Sequence, residues 1–222
     1  MGKLITETPY SEITATLEVL DRCGATRDDL AKFRKASSYV HQEVVRLIKY
    51  GEAHVVNSSA GIAMDRTRPF NPSKFIGEGW TIWKGSAGGN GLKGEEEQDK
   101  RSLILSHVEL ANVRFETCLD PHEQYITGEE RLSRLKKADR TRLDAKIFET
   151  LWLNQDLIPE SWKEKTNDNT TCIFFDGTIL RDPDGYRYAP YLCWGVGEWY
   201  RLVDWLGSNR GACDPSAVLA ST

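Results

Sequence analysis

Two Asp-Gly pairs, Asp176-Gly177 and Asp184-Gly185, each set beside apolar or aromatic runs, constrain this chain more than any other feature. Asp-Gly accepts the positive φ of tight hairpin turns. "CIFFDGTIL" therefore reads as two strands about a turn, and "RDPDGYRYAPYLCW" as a further turn and strand. The chain beyond Lys165 reads as a β-meander, and it contains no Lys, Gln or Met. Ahead of it, Thr127 and Glu130 form a capping box before Leu132 and Leu135, and Thr141 with Asp144 precedes Leu143, Ile147, Phe148 and Leu151. Two helices are expected there, ended by Pro159. "WTIWKG" at 80–85, "SLILSHVEL" and "VRFETCL" are earlier strand candidates. Strands, two grouped helices and then hairpins make an α+β domain.

The first fifty residues have a different texture. Ile13, Leu17 and Leu20 fall on one helical face, Leu30 and Phe33 mark a short helix, and Val40, Val44, Leu47 and Ile48 repeat helical spacing before Gly51. Residues 1–51 are read as a helical N-terminal region and 52–222 as the α+β domain. The helices suit oligomerisation, with a helix-turn-helix DNA reader as the alternative.

A net charge of −4 and a pI near 5.7 argue against broad phosphate neutralisation, so nucleic acid is not the expected partner. No secretory signal or membrane-spanning run is seen, and the protein is read as cytoplasmic; "MGKLIT" fits the loose myristoylation pattern. Five cysteines, at 23, 118, 172, 193 and 213, include no CxxC pair, which predicts reduced thiols and no zinc site. His41, His54, His107 and His122 lack metal-ligand spacing. "GNGLKG" at 89–94 matches GxGxxG but runs into "GEEEQDK", whose carboxylates repel phosphate, so a flexible loop is expected. "DPDG" at 182–185 lacks the remaining oxygen ligands of a calcium loop and reads as a turn. No cofactor or metal is expected.

The tail "WGVGEWYRLVDWLGSNRGACDPSAVLA" sets Trp194, Trp199 and Trp205 among residues with no period. With Trp199, Trp205 and Leu206 as frame, the remaining residues of 200–214 are all encodable by codons ending in a pyrimidine. Randomising the adenines of AAC or AAT codons yields such residues and never Lys, Glu, Gln, Met or Trp.

This tail resembles the Trp-framed variable region of the variable proteins of diversity-generating retroelements, whose C-terminal C-type lectin-like domain is rewritten by error-prone reverse transcription at template adenines. "FIGEGWTIWKG", "TGEERLSRLKKADRTRLDAKIF" and "LIPESWKEK" resemble segments that precede that region, so the likeness covers roughly residues 70–222. The family's Gly-Gly-Ser-Trp turn is replaced here by Gly195, Val196, Gly197, Glu198 and Trp199, a departure in the loop. The resemblance implies a C-type lectin-like fold with a variable region at about 188–216, a non-enzymatic activity and a macromolecular ligand, in all expectation a protein.

Under this reading Trp194, Trp199, Trp205, Leu206, Val218 and Leu219 are the buried frame. The binding residues are Cys193, Val196, Tyr200, Arg201, Leu202, Val203, Asp204, Gly207, Ser208, Asn209, Arg210, Gly211, Ala212, Cys213 and Asp214, projecting into solvent, with Tyr200 and Arg201 the strongest contributors. Two alternatives come from other classes. One is an enzyme, since formylglycine-generating oxidases use the same scaffold, with Cys193 and Cys213 as its reactive pair; a depressed thiol pKa would support it. The other is a DNA-bound regulator acting through the N-terminal helices.

Overall fold

The computed structural model describes residues 61–220, together with Thr26 and Ala31. The expected N-terminal helices, the myristoylation pattern, Cys23, His41 and His54 lie outside the described residues. Within 61–220 the architecture is α+β.

The strands are β1 (Gly61–Ala63), β2 (Thr81–Ile82), β3 (His107–Glu109), β4 (Val113–Glu116), β5 (Ile126–Thr127), β6 (Thr141–Arg142), β7 (Cys172–Phe174), β8 (Leu180–Arg181), β9 (Arg187–Gly195), β10 (Glu198–Trp205), β11 (Asn209–Arg210) and β12 (Ser216–Leu219). The helices are two single turns, α1 (Pro72–Phe75) and α2 (Lys100–Leu103), and two longer ones, α3 (Gly128–Lys137) and α4 (Ala145–Leu153). Eight strands form the main sheet: β2, β8, β9, β7, β12 and β4 in order, with β10 on β9 and β6 on β12.

The capping box at Thr127 forms as read: its hydroxyl accepts from the Glu130 amide at 3.2 Å. The second helix begins differently. Asp144 is itself the cap, accepting from the Lys146 and Ile147 amides at 2.8 and 3.1 Å, while Thr141 lies in β6. An aspartate that satisfies two orphan amides leaves no capping role for Thr141. α4 ends at Leu153, ahead of Pro159. "SLILSHVEL" divides into the end of α2 and β3, because Asp99 caps a helical turn by accepting from the Arg101 amide.

The first Asp-Gly pair is not a hairpin turn. β10 runs along one edge of β9 from Tyr188 to Gly195, and β7 and β8 lie end to end along the other. Asp176 and Gly177 sit in the gap between them. The reason is packing: a Cβ on Gly177 would fall 2.3 Å from the Arg142 carbonyl oxygen. Pro190, in the middle of β9, faces this same gap, where its missing N–H leaves no ladder bond broken. The second pair is a turn: Gly185 donates to the Asp182 carbonyl at 3.2 Å and has φ of +93°.

The sheet carries core on both faces. Ile147, Phe148 and Leu151 of α4 pack with Ile173, Leu192 and Trp199 on one face; Leu132 of α3 packs with Phe174, Ala189 and Leu206 on the other. Strand alternation separates Ile173 from Phe174 in this way. No helix among the described residues is long and apolar enough to cross a membrane.

Two stability outcomes follow from the backbone. Val196 and Gly197 close the β9–β10 hairpin with φ of +51° and +87°, as a type I′ turn requires, and a β-branched residue is strained there. Val196→Asn raises the unfolding free energy by about 1 kcal/mol in chemical denaturation. Gly177→Ala lowers it by about 3 kcal/mol, because the methyl meets backbone rather than a side chain that can move.

Candidate functional site

The site is built on the β9–β10 hairpin, whose register is pinned by tryptophan. Trp199 is buried and pairs directly with Trp194, ring centroids 5.5 Å apart at 66°. Lys163 Nζ sits 4.1 Å from the Trp194 ring centre. Trp205 departs from the expected frame. Its indole is 47 % exposed and set edge-on to Tyr186 at 6.3 Å, at the end of β10 opposite Tyr188. Leu206 and Val218 are buried core, as read; Leu219 is partly buried.

Alternation divides the predicted residues between two faces. Tyr200, Leu202 and Asp204 stand over Cys193, Tyr191 and Ala189 on one face. Arg201 and Val203 project to the other, where the Arg201 guanidinium lies 4.2 Å from the Phe75 ring and 5.2 Å from Trp152. Tyr200 and Arg201 thus cannot contact one flat ligand together. On the first face Leu202 is 46 % exposed and the Tyr200 hydroxyl donates to Glu198 at 2.8 Å. That carboxylate, which would repel the phenolate, raises the Tyr200 pKa. Val196 stands fully out at the hairpin tip.

The segment from Gly207 to Asp214 is tied down more than a free loop. Ser208 Oγ donates to Asp204 at 3.0 Å, and the Ser208 carbonyl accepts from the Gly128 amide at 3.1 Å. Asn209 and Arg210 form β11 against β5, the strand that leads into α3. Asp214 accepts from the Gly211 amide at 2.9 Å, and the Cys213 carbonyl accepts from the Cys172 amide at 2.7 Å. Ala212 is half-buried between them. A Cβ on Gly207 would fall 2.4 Å from the Trp205 ring, so that position cannot take a side chain without moving the indole.

Arg210 corrects the expectation of solvent projection. It is 2 % exposed, paired with Asp204, donating to the Trp205 carbonyl at 3.0 Å and lying 4.3 Å from the Phe174 ring centre. Arg131, fully enclosed, lies 4.5 Å from the same ring, bridges Asp176 at 2.9 Å and donates to the Asp214 carbonyl. Phe174 stacks in turn on Tyr191 at 4.7 Å. Burial pulls the Arg131 pKa down, Asp176 opposes that shift and Arg210 adds to it. A guanidinium nonetheless stays charged.

Arg131 and Asp176 were not singled out from the sequence, although a signal exists. Gly128, Arg131, Leu132 and Leu135 fall on one helical stripe, and all are buried. A charge inside an apolar stripe, or inside an apolar run such as "CIFFDGTIL", asks for a buried partner.

The thiols do not form the expected pair. Cys193 stands opposite Cys172, not Cys213, and the Cys172 amide turns away from β9 toward Cys213, making 172 and 193 a close non-hydrogen-bonded pair. Burial first, then the neighbouring Cys193 and Asp214, push the Cys172 thiol up to about 12. Burial also raises Cys193, Cys213 and Cys118. A thiol nucleophile needs the opposite shift. No group of His, Cys, Asp or Glu among the described residues could hold a metal ion. A cleft of about 470 Å³ beside α3 is lined by Glu97, Glu129, Lys136 and Arg187, whose charges are satisfied by one another. "GNGLKG" is a loop with no helix directly after it; Gly91 packs on Trp83 and the Asn90 carbonyl accepts from Arg181 at 2.8 Å.

The arrangement supplies a rigid, partly apolar face around Tyr200, Leu202 and Cys193, supported from behind by buried ion pairs. It follows that Arg210→Ala costs about 3 kcal/mol of stability, by emptying the buried site beside Phe174 and leaving the Trp205 carbonyl without this donor, whereas Tyr200→Ala and Leu202→Ala each change it by less than about 1 kcal/mol, as read from urea denaturation. No protein-family model matches the chain, and no curated protein or solved structure matches it.

Proposed function

We propose that this chain is a non-enzymatic ligand-binding protein, a variable protein of the diversity-generating retroelement kind, whose β10 face takes a protein ligand. The observation that carries the reading is the independence of scaffold and face. Trp194, Trp199, Leu206, Arg131 and Arg210 hold the hairpin and the following loop, while Leu202, Asn209 and Val196 meet solvent, Tyr200 is half-buried, and none of the four supports a core cluster. A surface that accepts many side chains requires this separation. The C-type lectin-like fold belongs to the same proposal; two grouped helices followed by a long C-terminal hairpin support it.

Tyr200 and Leu202 suit a protein ligand, since an aromatic and an aliphatic side chain on a rigid strand give contact area at low entropic cost. The formylglycine-type alternative is disfavoured by thiols whose pKa values all move away from reactivity. The regulator alternative rests on residues 1–51, outside those described.

Sequencing the 3′ end of the gene and its downstream region across the source population tests the reading. Codons 200, 202 and 209 are expected to differ between copies at their first two bases, with those of Trp194, Trp199 and Trp205 constant and an adenine-rich near-copy beside a reverse transcriptase gene. A uniform tail with no such copy overturns it.

A further inference from the structure

β10 has a strand partner on one side only among the described residues. The ladder shows which of its backbone groups are spare. Phe175 donates to the Pro190 carbonyl and Leu206 to the Arg187 carbonyl, at 2.9 Å each. Antiparallel alternation then assigns Tyr200, Leu202 and Asp204 to bonds with β9, and turns the amides and carbonyls of Trp199, Arg201 and Val203 outward. None of these outward groups has a hydrogen-bond partner among the described residues, except that the next carbonyl out, of Trp205, is taken by Ser208 and Arg210.

Natural edges are blunted by proline, bulges, charged side chains or a covering element, and of these β10 has the charges of Glu198, Arg201 and Asp204. β10 contains no proline, and it pairs with β9 without a break over eight consecutive residues. Arg201, exposed midway along it, forms no ion pair with any described carboxylate.

We infer that the ligand docks by strand addition: an extended polypeptide segment pairs with the outer edge of β10, bonding the backbone of Arg201 and Val203 and placing an acidic residue opposite Arg201. The inference rests on the ligand-binding reading and gives its partner a chemistry. Backbone bonds supply affinity whatever side chains β10 carries, while alternate side chains of the added strand meet Tyr200 and Leu202 on one face and Arg201 on the other. Self-pairing in the register centred on Arg201 would bring two guanidiniums together and set Glu198 against Asp204, which argues for a foreign strand over a second copy.

The test selects phage-displayed random peptides of about ten residues on the full chain, a length that covers one strand. Recovered peptides are then compared on wild type, Val203→Pro and Tyr200→Ala. Val203→Pro removes an outward N–H that β9 does not use, so circular dichroism should stay native while binding falls by about tenfold or more. Hydrogen exchange gives a reading that needs no variant: the amides of Arg201 and Val203 exchange fast in the free chain and become protected with peptide, while those of Tyr200 and Leu202 are slow throughout. Acidic peptides with this protection pattern support the inference. Peptides that lose affinity for Tyr200→Ala but bind Val203→Pro unchanged, and protect neither the Arg201 nor the Val203 amide, overturn strand addition and leave the ligand-binding reading standing. Recovery of no peptide overturns it likewise, with the sequencing result unaffected. Protection that rises with protein concentration and no peptide replaces the foreign strand by a second copy.

Discussion

The ion pair of Arg131 and Asp176, both enclosed, is the constraint on which the rest of the domain depends. Two charges taken out of water cost several kcal/mol each unless geometry and further hydrogen bonds compensate. Arg131 meets part of that demand through a carboxylate, the Asp214 carbonyl and the face of Phe174, while its Nε and the Asp176 Oδ2 make no hydrogen bond among the described residues. With its partners it joins three separate stretches: α3, which carries Arg131, the end of β7 with the gap after it, and the turn before β12. Closing this bridge therefore fixes where the helix, the broken strand and the C-terminal loop sit relative to one another. Gly128 and Gly177 follow from it, since each lies where two backbones come too close for a Cβ.

Arg210 extends the same arrangement outward, beside Phe174 and onto Asp204 at the far end of β10. The loop after β10 is thus held by groups outside itself, namely the β5 backbone, Gly128 and Cys172. That separates two kinds of position which look alike in sequence. Gly207 and Arg210 are structural, whereas Tyr200, Leu202 and Asn209 are not engaged in core.

Much of this was legible in the residues. The cap at Thr127, the α+β order and the buried Trp199 follow from local chemistry, because hydrogen bonds to orphan amides and apolar periodicity act within a few positions. Asp176-Gly177 misled because a turn pair and a buried junction use the same two residue types, and the difference lies in Arg142 and Arg131, distant in the chain. Cys193 was matched with Cys213 for the same reason: pairing across a sheet depends on register. Trp205 reads as core by its size, yet its surroundings are the open end of a hairpin. Arg210 reads as a surface cation until Asp204 and Phe174 are brought to it.

Register explains why β10 tolerates side chains that contribute nothing to the fold. A slip of one residue would move Trp199 to solvent and carry Tyr200 into the core. The penalty is set by Trp199, its partner Trp194 and the two-residue turn at Val196 and Gly197, none of which involves the face at 200 and 202. The ladder to β9 is backbone alone, so it survives a change of either side chain, whereas Asp204 is committed to buried Arg210. A central strand could not offer this freedom, because both its faces and both its edges are committed. An edge strand held by one tryptophan pair and one turn is the position in a sheet where side-chain identity is least constrained, and it is also where spare backbone groups meet solvent. Variation of face and addition of a strand are thus two consequences of the same location.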